Sequence, residues 1–208
     1  MIRTLQLLIK HSLDRVAAIV LLCLFSPVLL LIGVVILMES GRPVLFVQIR
    51  VGHQGRPFRA YKFRTMVPGA EQVGLGTTVA AGDDRITRVG VFLRTWSLDE
   101  LPQLLNVIRG DMSLVGPRPT LEHQVERYTP FQRRRLEMKP GITGWAQVCG
   151  RNSLPWAKRI ELDIWYVDRF SLLLDIRILL RTIGVWLRRE GLYGPGGVND
   201  DFVPKEQG

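Results

Sequence analysis

Cysteine and histidine are scarce in this sequence, with 2 and 3 residues among 208. Two cysteines cannot form a disulfide framework, and Cys23 and Cys149 lie in unlike surroundings, so we expect both to be reduced, as in a bacterial cytosol. His11, His53 and His123 show no His-x₃-His spacing, and no Cys-x-x-Cys pair is present. These absences argue against a zinc site.

The sequence also lacks the common nucleotide-binding fingerprints. No Gly-x₄-Gly-Lys-Ser/Thr loop occurs, and Gly74-Leu75-Gly76 has neither a third glycine nor a preceding strand. There is no internal repeat and no low-complexity tract. A Walker-type ATPase and a Rossmann dinucleotide enzyme are therefore not indicated.

Acidic residues are in the minority, with 19 against 28 basic ones, which gives a formal charge of +9. At 208 residues, 47% hydrophobic and 23% charged, the chain is long and apolar enough to fold as one domain. A basic balance fits three partners equally well: nucleic acid, an anionic membrane surface or a phosphorylated substrate.

One long apolar run lies near the N-terminus. From Val16 to Met38, about 23 residues carry no ionisable side chain except a thiol, which is enough for a membrane segment. Ser26-Pro27 falls near its middle, where the missing amide hydrogen of proline frees a carbonyl and bends the helix. A plain spanning helix and a re-entrant helix-break-helix both remain open on this evidence.

The basic residues around the run favour the re-entrant form. Cations precede it and follow it, so by the positive-inside rule both ends prefer the cytoplasm. They are Arg3, Lys10 and Arg15 before the run, and Arg42, Arg50, Arg56, Arg59, Lys62 and Arg64 after it. A spanning helix cannot satisfy both ends.

Beyond residue 40 the pattern becomes that of a small mixed domain. Residues 43–50 and 57–63 read as two strands joined as a hairpin, and 97–108 and 122–138 have helical spacing. The Gly- and Ala-rich stretch 68–84 is predicted to be a mobile loop. We therefore predict an α+β fold, with residues 1–40 as the membrane part, 41–190 as the domain and 191–208 as a loose tail.

The last third of the domain is amphipathic. In the predicted helix 171–189, Arg177, Arg181 and Arg188 fall within about 40° on a helical wheel and apolar residues fill much of the rest. A second amphipathic helix, 159–168, carries Trp165 and Tyr166. Such helices suit a membrane interface, and the alternative is packing on a soluble core.

Ser97-Leu98-Asp99-Glu100 is the first candidate for chemistry. Ser-x-x-Glu is also a helix capping box, a purely structural pattern. On the functional interpretation, a helix N-terminus attracts phosphate and lowers a carboxyl pKa, so Asp99 would be ionised and able to attack phosphorus. Two anions approach each other only if cations neutralise them, which calls for Mg²⁺ and arginines.

Candidate cations lie nearby in the sequence. Arg118 stands between two prolines in Gly116-Pro117-Arg118-Pro119, a rigid setting for a guanidinium that binds phosphate. Taken alone, this motif could equally be a polar turn. Further positive charge comes from Lys62, Arg64, Arg85, Arg88 and Arg94.

Four stretches, in this order, strongly resemble the bacterial sugar transferases, the monotopic polyprenol-phosphate phosphoglycosyl transferases. They are Lys62-Phe-Arg-Thr-Met66, Ser97-Leu-Asp-Glu-Leu-Pro-Gln103, Asn106-Val-Ile-Arg-Gly-Asp-Met-Ser-Leu-Val-Gly-Pro-Arg-Pro119 and Lys139-Pro-Gly-Ile-Thr-Gly-Trp-Ala-Gln-Val148. The resemblance extends from about residue 10 to residue 180 and includes the Ser26-Pro27 break.

The resemblance implies a specific activity. Such enzymes move a sugar 1-phosphate from a UDP-sugar to undecaprenyl phosphate, release UMP and initiate the assembly of a bacterial glycan, which can be exopolysaccharide, capsule, O-antigen or glycoprotein. They use Mg²⁺ and a covalent aspartyl-phosphosugar intermediate. The implied location is the cytoplasmic leaflet of the inner membrane, in contact with its lipids, with a re-entrant N-terminal helix.

The same resemblance implies roles for individual residues. Asp99 would be the nucleophile, and Glu100 its neighbour in metal or proton handling, so both are candidate Mg²⁺ ligands. Arg118 would bind the substrate phosphate, with Lys62 and Arg94 around it.

A different class of protein also fits the charge. A membrane-anchored basic protein could bind nucleic acid or anionic lipid without catalysis, using Arg133-Arg134-Arg135. Nucleic acid is not an expected partner of the enzyme. The sequence identifies neither the sugar nor the oligomeric state.

Overall fold

The computed structural model describes residues 2–73, 78–189 and 191–199. Its α-helices within these residues are α1 Ile2–Ser40, α2 Arg88–Thr95, α3 Leu104–Arg109, α4 Glu122–Glu126, α5 Pro130–Arg133, α6 Trp145–Cys149, α7 Trp156–Arg169 and α8 Leu172–Arg188. The strands are β1 Leu45–Val51, β2 Pro57–Phe63, β3 Val79–Ala80, β4 Ser113–Val115, β5 Gly141–Thr143 and β6 Val198–Asn199. The predicted mixture of helix and strand is confirmed.

Helix α1 is 39 residues long and continues through Pro27. Proline cannot donate to the carbonyl of Cys23, and the Ser26 hydroxyl donates to that oxygen instead, at 2.8 Å. The predicted break at Ser26-Pro27 is therefore not seen as an interruption of the helix. By length and composition α1 could cross a membrane, with a mean hydropathy of 3.1 in its most apolar window.

The rest of the domain packs along α1 on both sides of Pro27. Leu7 joins a cluster with Tyr166 and Ile178, Ala18 a second cluster with Leu104 and Met112, and Ile32 and Ile36 a third. The third cluster also contains Phe63 of β2 and Leu93 of α2. One face of the helix is thus part of the core, while the opposite face exposes many leucines and valines.

Strands β1 and β2 form the predicted hairpin. They pair antiparallel, with Leu45 opposite Phe63 and Val51 opposite Pro57. The turn between them is a short 3₁₀ segment, His53–Gly55, in which Gln54 has a φ of 56°. The hairpin sets Lys62 near the 3₁₀ turn Leu98–Gln103, which carries the two candidate carboxylates.

The predicted helix 122–138 is divided in the structure. Helix α4 ends at Glu126, α5 starts at Pro130, and Arg134–Glu137 is a 3₁₀ turn. Pro130 occupies the first turn of a new helix, where its missing N–H costs nothing, and Thr129 caps that helix by accepting from the amide of Gln132. Thr129-Pro130 is thus a helix-start signal in the sequence, and the prediction of one continuous helix over 122–138 did not take it into account.

Helices α7 and α8 confirm the two predicted amphipathic helices, with small changes of boundary. Ile178 on α8 is fully buried against the domain, whereas leucines on the other side are exposed by 59–76%. This exposed apolar face contains Leu173, Ile176, Leu180, Ile183 and Leu187.

The segments at both ends of the predicted mobile loop are held by one arginine. Arg85 donates to the carbonyls of Ala70, Val73 and Thr78 at 2.7–2.9 Å and pairs with Asp83. Residues 74–77 lie outside the described residues. Strand β3, in this loop, pairs antiparallel with β6, and a 3₁₀ turn, Pro195–Gly197, precedes β6, so part of the predicted loose tail forms secondary structure. Residues 200–208 lie outside the described part.

Candidate functional site

The candidate carboxylates stand on a strained turn. Ser97 has a φ of 51°, in the left-handed region, and begins the 3₁₀ turn Leu98–Gln103. The structural alternative, a capping box, is not formed, since the Ser97 side chain makes no cap bond and its oxygen instead accepts from Arg151 at 2.9 Å. The turn places Asp99 and Glu100 in the lining of a cleft of about 550 Å³.

Glu100 is bound by two cations. Its Oε1 accepts from Lys62 Nζ at 2.7 Å and from Arg118 Nη2 at 2.9 Å. Burial alone would raise the pKa of Glu100, but Arg118 and Lys62 overcome this effect and hold the pKa well below its usual range. Glu100 therefore carries its charge as part of a fixed ion-pair network.

Asp99 has the opposite character. Within residues 2–73, 78–189 and 191–199, no side chain or backbone group forms a hydrogen bond or an ion pair with the Asp99 carboxylate. Burial raises the pKa of Asp99, Lys62 lowers it in part, and the charge of Glu100 adds to the rise. The prediction that a helix terminus lowers this pKa is therefore wrong, because desolvation outweighs the local backbone field.

Arg94 approaches the same cleft from the last turn of α2. Its Nε donates to the Thr65 hydroxyl at 2.7 Å, which fixes the side chain. Burial lowers the pKa of Arg94, and the nearby Asp99 and Tyr193 act in the opposite direction. The five predicted site residues, Lys62, Arg94, Asp99, Glu100 and Arg118, thus line one cleft.

The Gly-Pro-Arg-Pro segment is placed by direct contact between two backbones. Gly116 N donates to Thr143 O and Gly141 N donates to Pro117 O, both at 2.9 Å. A Cβ on Gly116 would lie 2.3 Å from the carbonyl oxygen of Lys139, and one on Gly141 would lie 2.1 Å from Gly116 N. The two glycine-containing motifs, around Gly116 and around Gly141, therefore pack against each other, and together they fix the backbone position of Arg118.

The carbonyl of Arg118 is held from behind by a buried arginine. Arg135 donates to Arg118 O at 3.1 Å and to the Tyr128 hydroxyl at 2.7 Å, and it forms an ion pair with Asp163. The Arg135 side chain is 2% exposed. Residues 133–135 are therefore not the continuous basic surface that binding to nucleic acid would require.

Two other predicted cations serve the fold. Arg64 donates through Nη2 to Ser40 O and Gly41 O at 2.8 and 2.7 Å, which satisfies carbonyls at the C-terminus of α1. Arg85 holds the 70–83 loop, as described above. These bonds hold the guanidinium groups of Arg64 and Arg85 against backbone carbonyls and do not direct them toward Asp99.

Several residues of the cleft were not predicted. Gln48 of the hairpin, Asn152 and Trp156 before and in α7, and Leu192 and Tyr193 near the C-terminus all line it. None belongs to a motif, and they come from chain segments that meet only in the folded domain. The local sequence pattern therefore did not indicate that these residues would line the cleft.

The carboxylates suit a divalent cation only with help from a substrate. Among the described residues, no group of three or more His, Cys, Asp or Glu side chains forms a metal cage. Mg²⁺ commonly takes one or two carboxylates, with substrate phosphates and water completing six oxygens. Asp99 and Glu100, which line a cleft together with Lys62, Arg94 and Arg118, fit that donor set.

The fold and the site define a class: a mixed α+β domain, packed on a long apolar helix, with two adjacent carboxyl groups beside lysine and arginine side chains in one cleft. The family model for bacterial sugar transferases matches residues 5–189. The chain belongs to the bacterial sugar transferase family.

Relatives cover most of the chain. An uncharacterised sugar transferase of Bacillus subtilis, EpsL, is 47% identical over 186 residues, which are 89% of this chain and 91% of that relative. A UDP-galactose-lipid carrier transferase of Erwinia amylovora is 43% identical over 89% of this chain and 42% of its own length. A UDP-N-acetylgalactosamine-undecaprenyl-phosphate N-acetylgalactosaminephosphotransferase of Aeromonas hydrophila is 45% identical over 84% and 43%. The chain thus spans less than half of the last two.

Proposed function

We propose that the protein is a phosphoglycosyl transferase that moves a sugar 1-phosphate from a UDP-sugar to undecaprenyl phosphate and releases UMP. The observation that carries this proposal is the pair of adjacent carboxyls: Glu100 is bound by Lys62 and Arg118, and Asp99 lines the cleft with no hydrogen-bond partner in the described part of the chain. The names of the relatives from Erwinia amylovora and Aeromonas hydrophila, a lipid-carrier transferase and an undecaprenyl-phosphate transferase, support it.

The reaction takes place in two displacements at one phosphorus. An oxygen of Asp99 attacks the sugar-proximal phosphorus, the bond from that phosphorus to the bridging oxygen breaks, and the electron pair leaves with UMP. A phosphate oxygen of undecaprenyl phosphate then attacks the same phosphorus. The acyl-phosphate bond breaks, Asp99 is regenerated as a carboxylate, and the product is undecaprenyl-diphosphate sugar.

The cations make the first step feasible. The donor diphosphate and Asp99 are both anionic, so Arg118, Lys62 and Arg94 lower the repulsion between them. Glu100 keeps Lys62 and Arg118 in place before the donor arrives, so little reorganisation is needed. The Arg118 side chain is 40% exposed and has room to reach a phosphate.

We also propose that Mg²⁺ binds at this cleft, with Asp99 and Glu100 as its protein ligands. When bound, the ion supplies positive charge to the phosphate oxygens of the donor.

Two apolar surfaces support a location of this site at a membrane. The outer face of α1 and the exposed leucines of α8 are two apolar surfaces on one compact domain. The lipid acceptor cannot leave the bilayer and the nucleotide cannot enter it, so the cleft must lie at the boundary between them. We assign the protein to the cytoplasmic leaflet of the bacterial inner membrane, where it starts the assembly of a glycan.

We infer further that α1 enters and leaves the bilayer on the cytoplasmic side, with Pro27 near its deepest point. Residues on both sides of Pro27, from Leu7 to Ile36, pack on the same domain. A helix crossing about 30 Å of hydrocarbon would carry part of that domain through the membrane. An arrangement with both ends of α1 on one side avoids this.

The test is to trap the covalent intermediate. Purified protein in detergent is mixed with radiolabelled UDP-sugars and Mg²⁺ before any lipid is added, then quenched and digested. We expect one burst of UMP and a phosphosugar on the peptide containing Asp99. Asp99→Asn should form no adduct and should lower turnover by about 10⁴-fold or more.

Asp168→Asn is the matched control, since Asp168 pairs with Arg134 on the surface and does not line the cleft. It should retain the adduct and the turnover. Release of UDP in place of UMP would identify a glycosyltransferase and overturn the proposal. An adduct on any other peptide would overturn the role of Asp99.

A further inference from the structure

Residues 191–199 form a wall of the cleft that lies outside the family match, which ends at residue 189. We call this segment the C-terminal strap. Leu192, Tyr193 and Asn199 of the strap line the same cleft as Asp99 and Glu100. A segment beyond the family's shared region therefore shapes the site that binds the donor.

The strap is attached to the cleft at two places. Asn152 donates from its backbone amide to Gly191 O at 3.2 Å and from Nδ2 to Leu192 O at 2.9 Å. At the other end, β6 pairs with β3, and Ala81 N donates to Gly197 O at 2.7 Å. The strap thus connects the segment around Asn152 with the loop that carries β3.

Close backbone contact fixes the start of the strap. Gly191 has a φ of +65°, and a Cβ there would lie 2.5 Å from Gly150 O. The neighbouring Arg151 donates to Ser97 Oγ, so the strap is joined through one residue to the turn that carries Asp99. This attachment keeps Tyr193 at a defined position relative to the nucleophile.

Tyr193 lines the same cleft as Arg94 and Asp99. It follows Leu192, whose carbonyl accepts from Asn152, and the adjacent Arg151 donates to Ser97, two residues before Asp99. These bonds hold Tyr193 on the side of the cleft that carries the Asp99 turn. In a UDP-sugar, the sugar ring is bonded directly to the phosphate that Asp99 attacks. A side chain at this position therefore has the sugar as its neighbour, while the nucleoside lies one phosphate further away.

We propose that Tyr193 is a specificity-determining residue that hydrogen-bonds to a hydroxyl of the donor sugar. A phenol hydroxyl both donates and accepts, which matches the chemistry of a sugar hydroxyl. A site that pairs with a given hydroxyl discriminates against an epimer that carries it elsewhere, because the phenol is then left unpaired. This inference rests on the proposed function.

The experiment compares the wild type with Tyr193→Phe on UDP-glucose, UDP-galactose and their N-acetylated forms. UMP release gives kcat/KM for each donor, and calorimetry of the lipid-free protein gives each dissociation constant. We expect Tyr193→Phe to lower kcat/KM for the preferred sugar by roughly three- to tenfold, and to change its ratio to the epimer by the same factor.

Tyr61→Phe is the matched control, because it also removes a tyrosine hydroxyl. That hydroxyl lies outside the cleft and accepts a hydrogen bond from Arg109. It should leave the ratios between donors unchanged. Equal losses for all donors in Tyr193→Phe, or no loss, would overturn the inference. If the wild type binds UDP-sugars but releases no UMP, the proposed function fails, and the ratios of the dissociation constants still decide the role of Tyr193.

Discussion

Asp99 and Glu100 are adjacent carboxyl groups whose ionisation the fold pushes in opposite directions. Both carboxyls are buried, but Glu100 is bound by Lys62 and Arg118, whereas Asp99 has no hydrogen-bond partner among the described residues. A carboxylate that is poorly solvated and unpaired is a better nucleophile than one bound to two cations. In the proposed reaction, this asymmetry favours attack by Asp99 and a supporting role for Glu100.

The first prediction at this scale concerns pH. Asp99 must be ionised to attack, so activity falls as the pH drops through its pKa, which burial raises above the usual value. Lys62 lowers that pKa, so Lys62→Met should raise it further and move the acid limb of kcat/KM to higher pH. The measurement is UMP release between about pH 4 and pH 8.

The control for this variant is Lys158→Met, which removes an exposed lysine paired with Glu161. Its acid limb should coincide with that of the wild type. A limb that stays in place in Lys62→Met, even with reduced kcat, would mean that Lys62 acts on the substrate and not on the ionisation of Asp99.

The sequence was sufficient to select residues that meet in one cleft, but it did not predict their electrostatics. The motifs pointed to Lys62, Asp99, Glu100 and Arg118, and the structure brings them together. The predicted direction of the Asp99 pKa shift was wrong, because it depends on burial by distant segments. The alternative capping role of Ser97 is not formed, because its side chain binds Arg151 instead.

At the scale of elements, helix α1 is joined to the domain by buried charge as well as by apolar packing. Lys10 is 2% exposed and pairs with Asp175 of α8 at 2.6 Å and with Asp14 at 3.4 Å. Asp175 also accepts from the Tyr166 hydroxyl at 2.7 Å. These contacts tie α1 and α8, the two helices with exposed apolar faces, to each other.

Removing this lysine should therefore destabilise the protein. Lys10→Met leaves two buried acids without their cation, and we expect a loss of about 3–5 kcal/mol in the free energy of unfolding. Thermal unfolding in detergent measures it. Lys158→Met, whose ion pair is 55% and 56% exposed, should change stability by less than about 1 kcal/mol. Equal stability of both variants would contradict a structural role for the Lys10 network.

Elements were predictable where periodicity is local. The hairpin, α7 and α8 follow from alternation and amphipathic spacing within single segments. The pairing of β3 with β6 could not be predicted, because each strand is only two residues long. The two strands also lie more than a hundred positions apart in the sequence. Hence the wall of the cleft formed by the C-terminal strap was missed.

At the scale of the whole molecule, the prediction concerns topology. In a background with Cys23→Ser and Cys149→Ser, single cysteines are introduced as Arg3→Cys and Arg56→Cys. Because the domain packs along α1 on both sides of Pro27, both positions should resist a membrane-impermeant thiol reagent in intact cells. Both should react after the cells are opened, which is the control.

Labelling of residue 3 alone from outside would establish a spanning helix. The native cysteines are removed first, because Cys149 is exposed on the domain and would react with the reagent once the cells are opened.

Helix α1 contributes to three of the apolar clusters in the domain, so the domain is incomplete without it. Phe63, Leu93 and Met112 would lose part of their cover in a chain lacking that helix. The apolar helix and the rest of the domain therefore fold as one cooperative unit, so a chain that begins after Ser40 should not keep the native cleft.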